Sequence, residues 1–101
     1  MEKTLANQTS QQPLFSLGQV YATPGAIAAL EESEENPLPY LTRHVSGDWG
    51  ELSDEDKAEN DFSVANGYRI LSSYRTANGV KFWIITEWDR SVTTLLLPSE
   101  Y

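Results

Sequence analysis

YRILSSYRTANGVKFWIITEWDRSVTTLLL, residues 68–97, decides how this chain folds. Its apolar residues recur with period 2, and β-branched and aromatic side chains dominate, so it reads as strand rather than helix. Three strands are expected, over residues 68–75, 80–88 and 92–97. Asn78-Gly79 is the preferred pair for a two-residue type I′ turn. Asp89-Arg90 would close a second hairpin, and Pro98 stops the last strand. With two-residue turns at both hairpins, Leu71, Phe82, Ile84, Leu95 and Leu97 share one face of the sheet. Ile70, Tyr74, Trp83, Ile85, Val92 and Leu96 share the other. Both faces are then apolar. Three short helices can cover one, and the second calls for the N-terminal segment or another molecule.

The period before this stretch is 3.6. Thr23-Pro24 opens a helix, because threonine can cap and proline tolerates the first helical position. Ala26, Ile27 and Leu30 form its apolar side, and Glu31 and Glu32 at its end oppose the helix dipole and keep it short. After Asn36-Pro37 a second helix is expected over residues 39–45, with Tyr40, Leu41 and Val45 apolar. Ser53 caps the clearest helix, residues 54–66, in which Ala58, Phe62 and Ala65 mark one face and Gly67 supplies the left-handed end. Residues 14–21 add a short strand, with Gly18 at a bulge or close approach. Residues 1–13 are polar, aperiodic and read as a flexible tail. The expectation is an α+β fold in one domain, residues 14–101: a short strand, three short helices, then a three-stranded antiparallel meander packed on them.

The chain has 101 residues, no cysteine and a formal net charge of −8. Disulfides, thiolate metal sites and cysteine nucleophiles are excluded. The polar N-terminus and the lack of a long apolar run argue against a signal peptide and a membrane span, so a cytoplasmic protein with no membrane contact is expected. Eleven acids against Arg43 and Lys57 give residues 31–61 a net charge of −9, and the remainder carries +1. Such a surface repels nucleic-acid backbones; read structurally it is a solvated face that keeps the protein soluble, and read functionally it attracts a basic protein partner.

Chemistry is sparse. No phosphate loop, nucleophile elbow or zinc motif is present, and His44 is the single histidine. Asp48–Glu59 has the length of a calcium loop, but Ser53 stands where the sharp turn needs glycine. No cofactor and no metal are expected. Two segments carry candidate residues: Arg43–Gly50, with His44, Ser46, Asp48 and Trp49, and Thr86–Ser91, with Trp88, Asp89 and Arg90. Each sets a tryptophan beside an acid, a base and a hydroxyl. Read functionally, they form a polar pocket in which His44 titrates near neutrality and Arg90 holds an anion. Read structurally, Asp48 and Ser46 shape a turn, tryptophan seals the core and Arg90 pairs with an acid.

SLGQVYATPGAIAAL (16–30), LTRHVSGDWGELSDEDKAEND (41–61) and WIITEWDRSVTTLLLPSEY (83–101) resemble a family of small uncharacterised bacterial proteins labelled plasmid-related protein, and sometimes restriction-system methylation subunit. The resemblance implies a mobile-element setting and carries over no catalytic residue. The methylation label finds no support in the chain, which lacks the length and the Gly-rich cofactor loop of a methyltransferase. Three functional classes follow. The first is a small interaction or regulatory protein, self-associating as a homodimer or docking a protein partner. The second is a DNA mimic that inhibits a nucleic-acid enzyme, and the third is a small enzyme or ligand binder built around His44, Asp48 and Arg90.

Overall fold

A computed structural model of the chain describes residues 12–101. Most of the expected tail lies outside the described residues. The elements are β1 (Gln19–Ala22), α1 (Pro24–Glu32), α2 (Leu38–Val45), α3 (Asp54–Asn66), β2 (Ile70–Arg75), β3 (Lys81–Thr86), β4 (Val92–Leu96) and a final 3₁₀ turn, Pro98–Glu100. The α+β class is as expected. The sheet, however, has four strands in the order β1-β4-β3-β2, since β1 joins the meander by pairing parallel to β4.

Local signals place the helices. The Thr23 hydroxyl accepts from the Ala26 N–H and Pro24 occupies the first turn of α1. The Ser53 hydroxyl accepts from the Asp56 N–H at the start of α3, and Gly67 ends that helix with φ 75°. Three acids in the first turn of α3 favour its dipole. Glu100, from the far end of the chain, adds its carboxylate to the start of α1, accepting from the Gly25 N–H at 3.0 Å. The hydrogen bond from the Thr23 hydroxyl, with those from the Leu97 and Gly25 N–H groups, holds the Glu100 carboxyl below its ordinary pKa.

The first hairpin departs from the expected turn. Thr76 and Val80 face each other across the three-residue loop Ala77-Asn78-Gly79, with Thr76 N–H donating to Val80 O and Gly79 N–H to Thr76 O. Only Gly79 of the three has positive φ, 86°, so the turn is not type I′, which needs positive φ at two successive residues. A third loop residue moves β2 by one position against β3. Because strand side chains alternate, a shift of one exchanges its faces. Ile70 and Tyr74 therefore stand with Phe82, Ile84 and Leu95, and Leu71 stands with Trp83, Ile85 and Leu96, the reverse of the expected β2 assignment. The second hairpin keeps the expected register. Its loop is Trp88–Ser91, four residues rather than two, and an even change preserves alternation.

The core forms between the Ile70/Tyr74/Phe82/Ile84/Leu95 face and the helices, with Ala26, Leu30, Tyr40 and Leu41 packed on it. Tyr40 meets the Phe82 ring edge-on at 4.9 Å. The other face is less open than its sequence suggests. Ile85 and Leu96 are 4% and 7% exposed, and Tyr101 packs edge-on to Trp83. The open sheet face from which a homodimer was expected is thus largely closed.

β2 is an edge strand, and its outward backbone is answered. The Asn60 side chain of α3 donates to Leu71 O at 2.7 Å and accepts from Leu71 N–H at 3.2 Å, as a neighbouring strand would. Ser73 N–H donates to Trp49 O and Ser73 O accepts from Glu51 N–H. Gly50 lies between these bonds, where an added Cβ would fall 2.0 Å from Ser73 O. An edge protected in this way resists pairing with other chains.

Candidate functional site

His44 sits on the inner side of α2 and is 0% exposed. Its partners are neither Ser46 nor Asp48. Nδ1 lies 2.6 Å from Ser72 Oγ of β2, and Nε2 lies 2.9 Å from Thr86 Oγ1 of β3. Thr86 Oγ1 is 2.7 Å from Thr93 Oγ1 of β4, and Thr93 donates to Leu17 O at 2.7 Å. That last carbonyl only accepts, which orders the series as far as Nε2, and burial, which keeps the imidazole neutral, orders the Ser72 bond. Thr93 gives its proton to Leu17 O, Thr86 gives its proton to Thr93, Nε2–H donates to Thr86, and Ser72 donates to Nδ1. The imidazole is neutral with its proton on Nε2, and every proton in the series has an acceptor.

Phe15 and Trp49 close over the ring edge-on, at 5.2 and 6.0 Å between centroids. Burial pushes the His44 pKa down to about 3. The expected titration near neutrality is therefore corrected: a cation would stand in an enclosed site facing Ser72, Thr86, Phe15 and Trp49, with no carboxylate among these neighbours. Ser72 and His44 have the spacing of a nucleophile and its base. Both are 0% exposed inside the sheet–helix layer, out of reach of a substrate.

Asp48 turns outward. It accepts from Arg43 Nε at 2.7 Å and from the Gly50 N–H, and the Arg43 guanidinium holds its carboxyl below the usual range. Both partners are about half exposed, and such a pair adds little stability. Trp49 is buried, its indole N–H donating to Asp61 on α3 at 3.1 Å. Tyr74 donates to Asp48 O, and burial pushes its pKa up to about 12. The 43–50 segment is a clasp between α2, α3 and the edge of β2.

The 86–91 segment is also structural in its base. Arg90, with φ 60°, donates to Ser63 O, Tyr68 O and Glu87 O at 2.7–3.1 Å. Ser63 O lies in the last turn of α3, so the guanidinium caps that helix and favours its negative end. Rather than pairing with an acid, Arg90 holds carbonyls. Its guanidinium also lies 5.6 Å from the centroid of Phe15. Phe15 is thus the point where the two segments meet, with His44 and Trp49 on one side and Arg90 on another. Asp89 folds back on Ser91, accepting from its N–H and hydroxyl, and Trp88 is exposed at the tip. His44, Asp48 and Arg90 do not converge on a common cavity. Among the described residues, no three His, Cys, Asp or Glu side chains gather where a cation could bind.

The partners of His44 were missed, although a signal for them exists. Ser72, Thr86 and Thr93 place one polar residue on each of three adjacent strands, within a face otherwise apolar.

The exposed features lie elsewhere. α3 packs through Asn60, Ser63 and the half-buried Val64, and leaves its apolar stripe, Ala58, Phe62 and Ala65, in solvent. At 3.6 residues per turn the two sides are roughly opposite. The helix is thus held by its polar side, through the bridge from Asn60 to the β2 edge. Phe62 stacks on Tyr68 at 5.8 Å and 11°, and each is 56% exposed. Asp54 and Asp61 flank the stripe on one side, Glu55 and Glu59 on the other. No family model, curated protein or solved structure matches the chain. No helix among the described residues is long and apolar enough to cross a membrane.

Proposed function

We propose that this protein is a non-catalytic interaction module that docks a basic, amphipathic helical segment of a partner protein on the outer face of α3. One observation carries the reading: Phe62, Ala58 and Ala65 face solvent between two rows of acids, while the helix is anchored by its polar side. Burying an aromatic anchor such as Phe62 contributes ~1.5–3 kcal/mol, and Tyr68 stacked beside it enlarges the apolar patch. Carboxylates on both sides favour lysine and arginine, speed association and make it salt-sensitive. The same carboxylates would disfavour duplex DNA. An apolar stripe between the acids is the wrong surface for imitating phosphates, so interaction is preferred over DNA mimicry. The resemblance to plasmid-related proteins supports a regulatory role in a mobile-element setting within the cytoplasm.

The test is calorimetric titration with an amphipathic leucine–lysine helical peptide. Binding should weaken as salt rises, and Phe62→Asp should reduce affinity by at least ~10-fold without unfolding the protein, since Phe62 is a surface residue. A Phe62→Asp protein that binds the peptide as tightly as the unchanged chain refutes the reading.

A further inference from the structure

The outer edge of β1 is the counterpart of the protected β2 edge, and among the described residues nothing answers it. In the parallel pairing with β4, Gln19 N–H donates to Ser91 O and Thr23 N–H donates to Leu95 O. Alternation then turns the N–H and C=O groups of Val20 and Ala22 away from the sheet. All four residues of β1 are exposed, Val20 at 44% and Tyr21 at 59%. Beneath that edge, on the helix side, opens a groove of about 290 Å³ lined by Val20, Ile27, Leu30, Pro37 and Leu41. Unpaired backbone beside an apolar groove is the arrangement that strand addition uses: main-chain bonds give affinity, and alternate side chains enter the groove.

Charge selects the occupant. Glu31 and Glu35 line the groove, the exposed Glu32 and Glu34 stand at and just past the end of α1, and no lysine or arginine lines it. A second copy of this chain would bring another net charge of −8. A four-residue strand also offers far less than the ~800 Å² per partner of a stable interface.

We propose that the β1 edge is a second docking site, which takes an extended segment of a partner protein with alternating apolar and basic side chains. It pairs with the backbone of Val20 and Ala22, sets aliphatic residues against Ile27 and Leu41, and carries its lysine or arginine side chains on the alternate face, within the field of the carboxylates at the end of α1. The site is independent of the α3 face, which lies beyond the opposite edge of the sheet.

The probe is an acetylated decapeptide of alternating lysine and valine, added to the full ¹⁵N-labelled chain and followed by NMR with amide hydrogen exchange. Exchange at Val20 and Ala22 should slow, with shift changes centred on 19–22, Ile27 and Leu30. Val20→Pro removes an outward N–H while leaving the ladder to β4, and Ile27→Lys fills and charges the groove. Each should weaken binding by at least ~10-fold with a dispersed, folded spectrum; if Val20→Pro fails to fold, Ile27→Lys carries the test. Unchanged exchange at Val20 and Ala22, or equal binding of a glutamate–valine decapeptide, would overturn the proposal. So would shift changes confined to α3. Protection already present without peptide also overturns it. Concentration dependence would then assign the edge to a second copy, and independence would assign it to a segment of the same chain.

Discussion

Acidification from pH 7 to pH 5 should destabilise this protein through His44. The imidazole has an ordinary pKa of 6.5, and burial lowers it in the fold to about 3. Below pH 6.5 the unfolded chain takes up a proton that the folded chain refuses, so stability falls as pH falls, by up to ~1.4 kcal/mol per pH unit. Integrated to pH 5, the loss is ~2 kcal/mol, against the ~5–15 kcal/mol total typical of such domains. The carboxyls with lowered pKa, Glu35, Asp48, Asp89 and Glu100, act in the same direction but at lower pH, where the unfolded carboxyls themselves begin to protonate. Relief of negative self-repulsion opposes both. A variant isolates the histidine. His44→Gln keeps a donor and an acceptor in the ring's place and cannot titrate. Urea unfolding at pH 7, 6 and 5 should show the unchanged chain losing ~2 kcal/mol more than His44→Gln over that interval. Parallel pH profiles for the two proteins would refute the neutral, enclosed histidine and reopen His44 as a titrating site.

Three further outcomes follow from the packing. Arg90→Ala removes donors from the carbonyls of Ser63, Tyr68 and Glu87 and should cost ~1–3 kcal/mol in urea unfolding. Asn60→Leu leaves the N–H and C=O of Leu71 without the amide that now pairs with both, for a loss of ~2–3 kcal/mol and faster exchange of the Leu71 amide. Deleting Ala77 would leave Asn78-Gly79 as a two-residue turn. The resulting one-residue slip would turn Ile70 and Tyr74 out of the core, and the variant should lose its cooperative thermal transition and near-UV circular dichroism.

Helix boundaries and strand positions were legible because their causes are local. A threonine or serine hydroxyl caps an N–H three residues away, a left-handed glycine ends a helix, and alternation marks a strand without reference to anything distant. The Thr23, Ser53 and Gly67 signals all act where the sequence places them. Gly18 likewise lies against the Ser91 carbonyl in the close approach its position suggested. The candidate site was legible only as residue types. That His44 would be enclosed, with Ser72 and Thr86 as its partners, depends on residues 28 and 42 positions away.

The sequence by itself determined the α+β class, the three helices, the three strands of the meander and the acidic charge of residues 31–61. Tertiary structure alone decided which sides of them meet. One loop residue, Ala77, set which face of β2 enters the core, since side-chain alternation turns an odd insertion into a reversal. Asn60 set which side of α3 is hidden: an edge strand's backbone needs hydrogen-bond partners, and the amide that supplies them holds the helix by its polar side. The apolar stripe of α3 faces outward for that reason. Backbone groups and loop lengths, which carry no apolar pattern, fixed the contacts that the pattern left open.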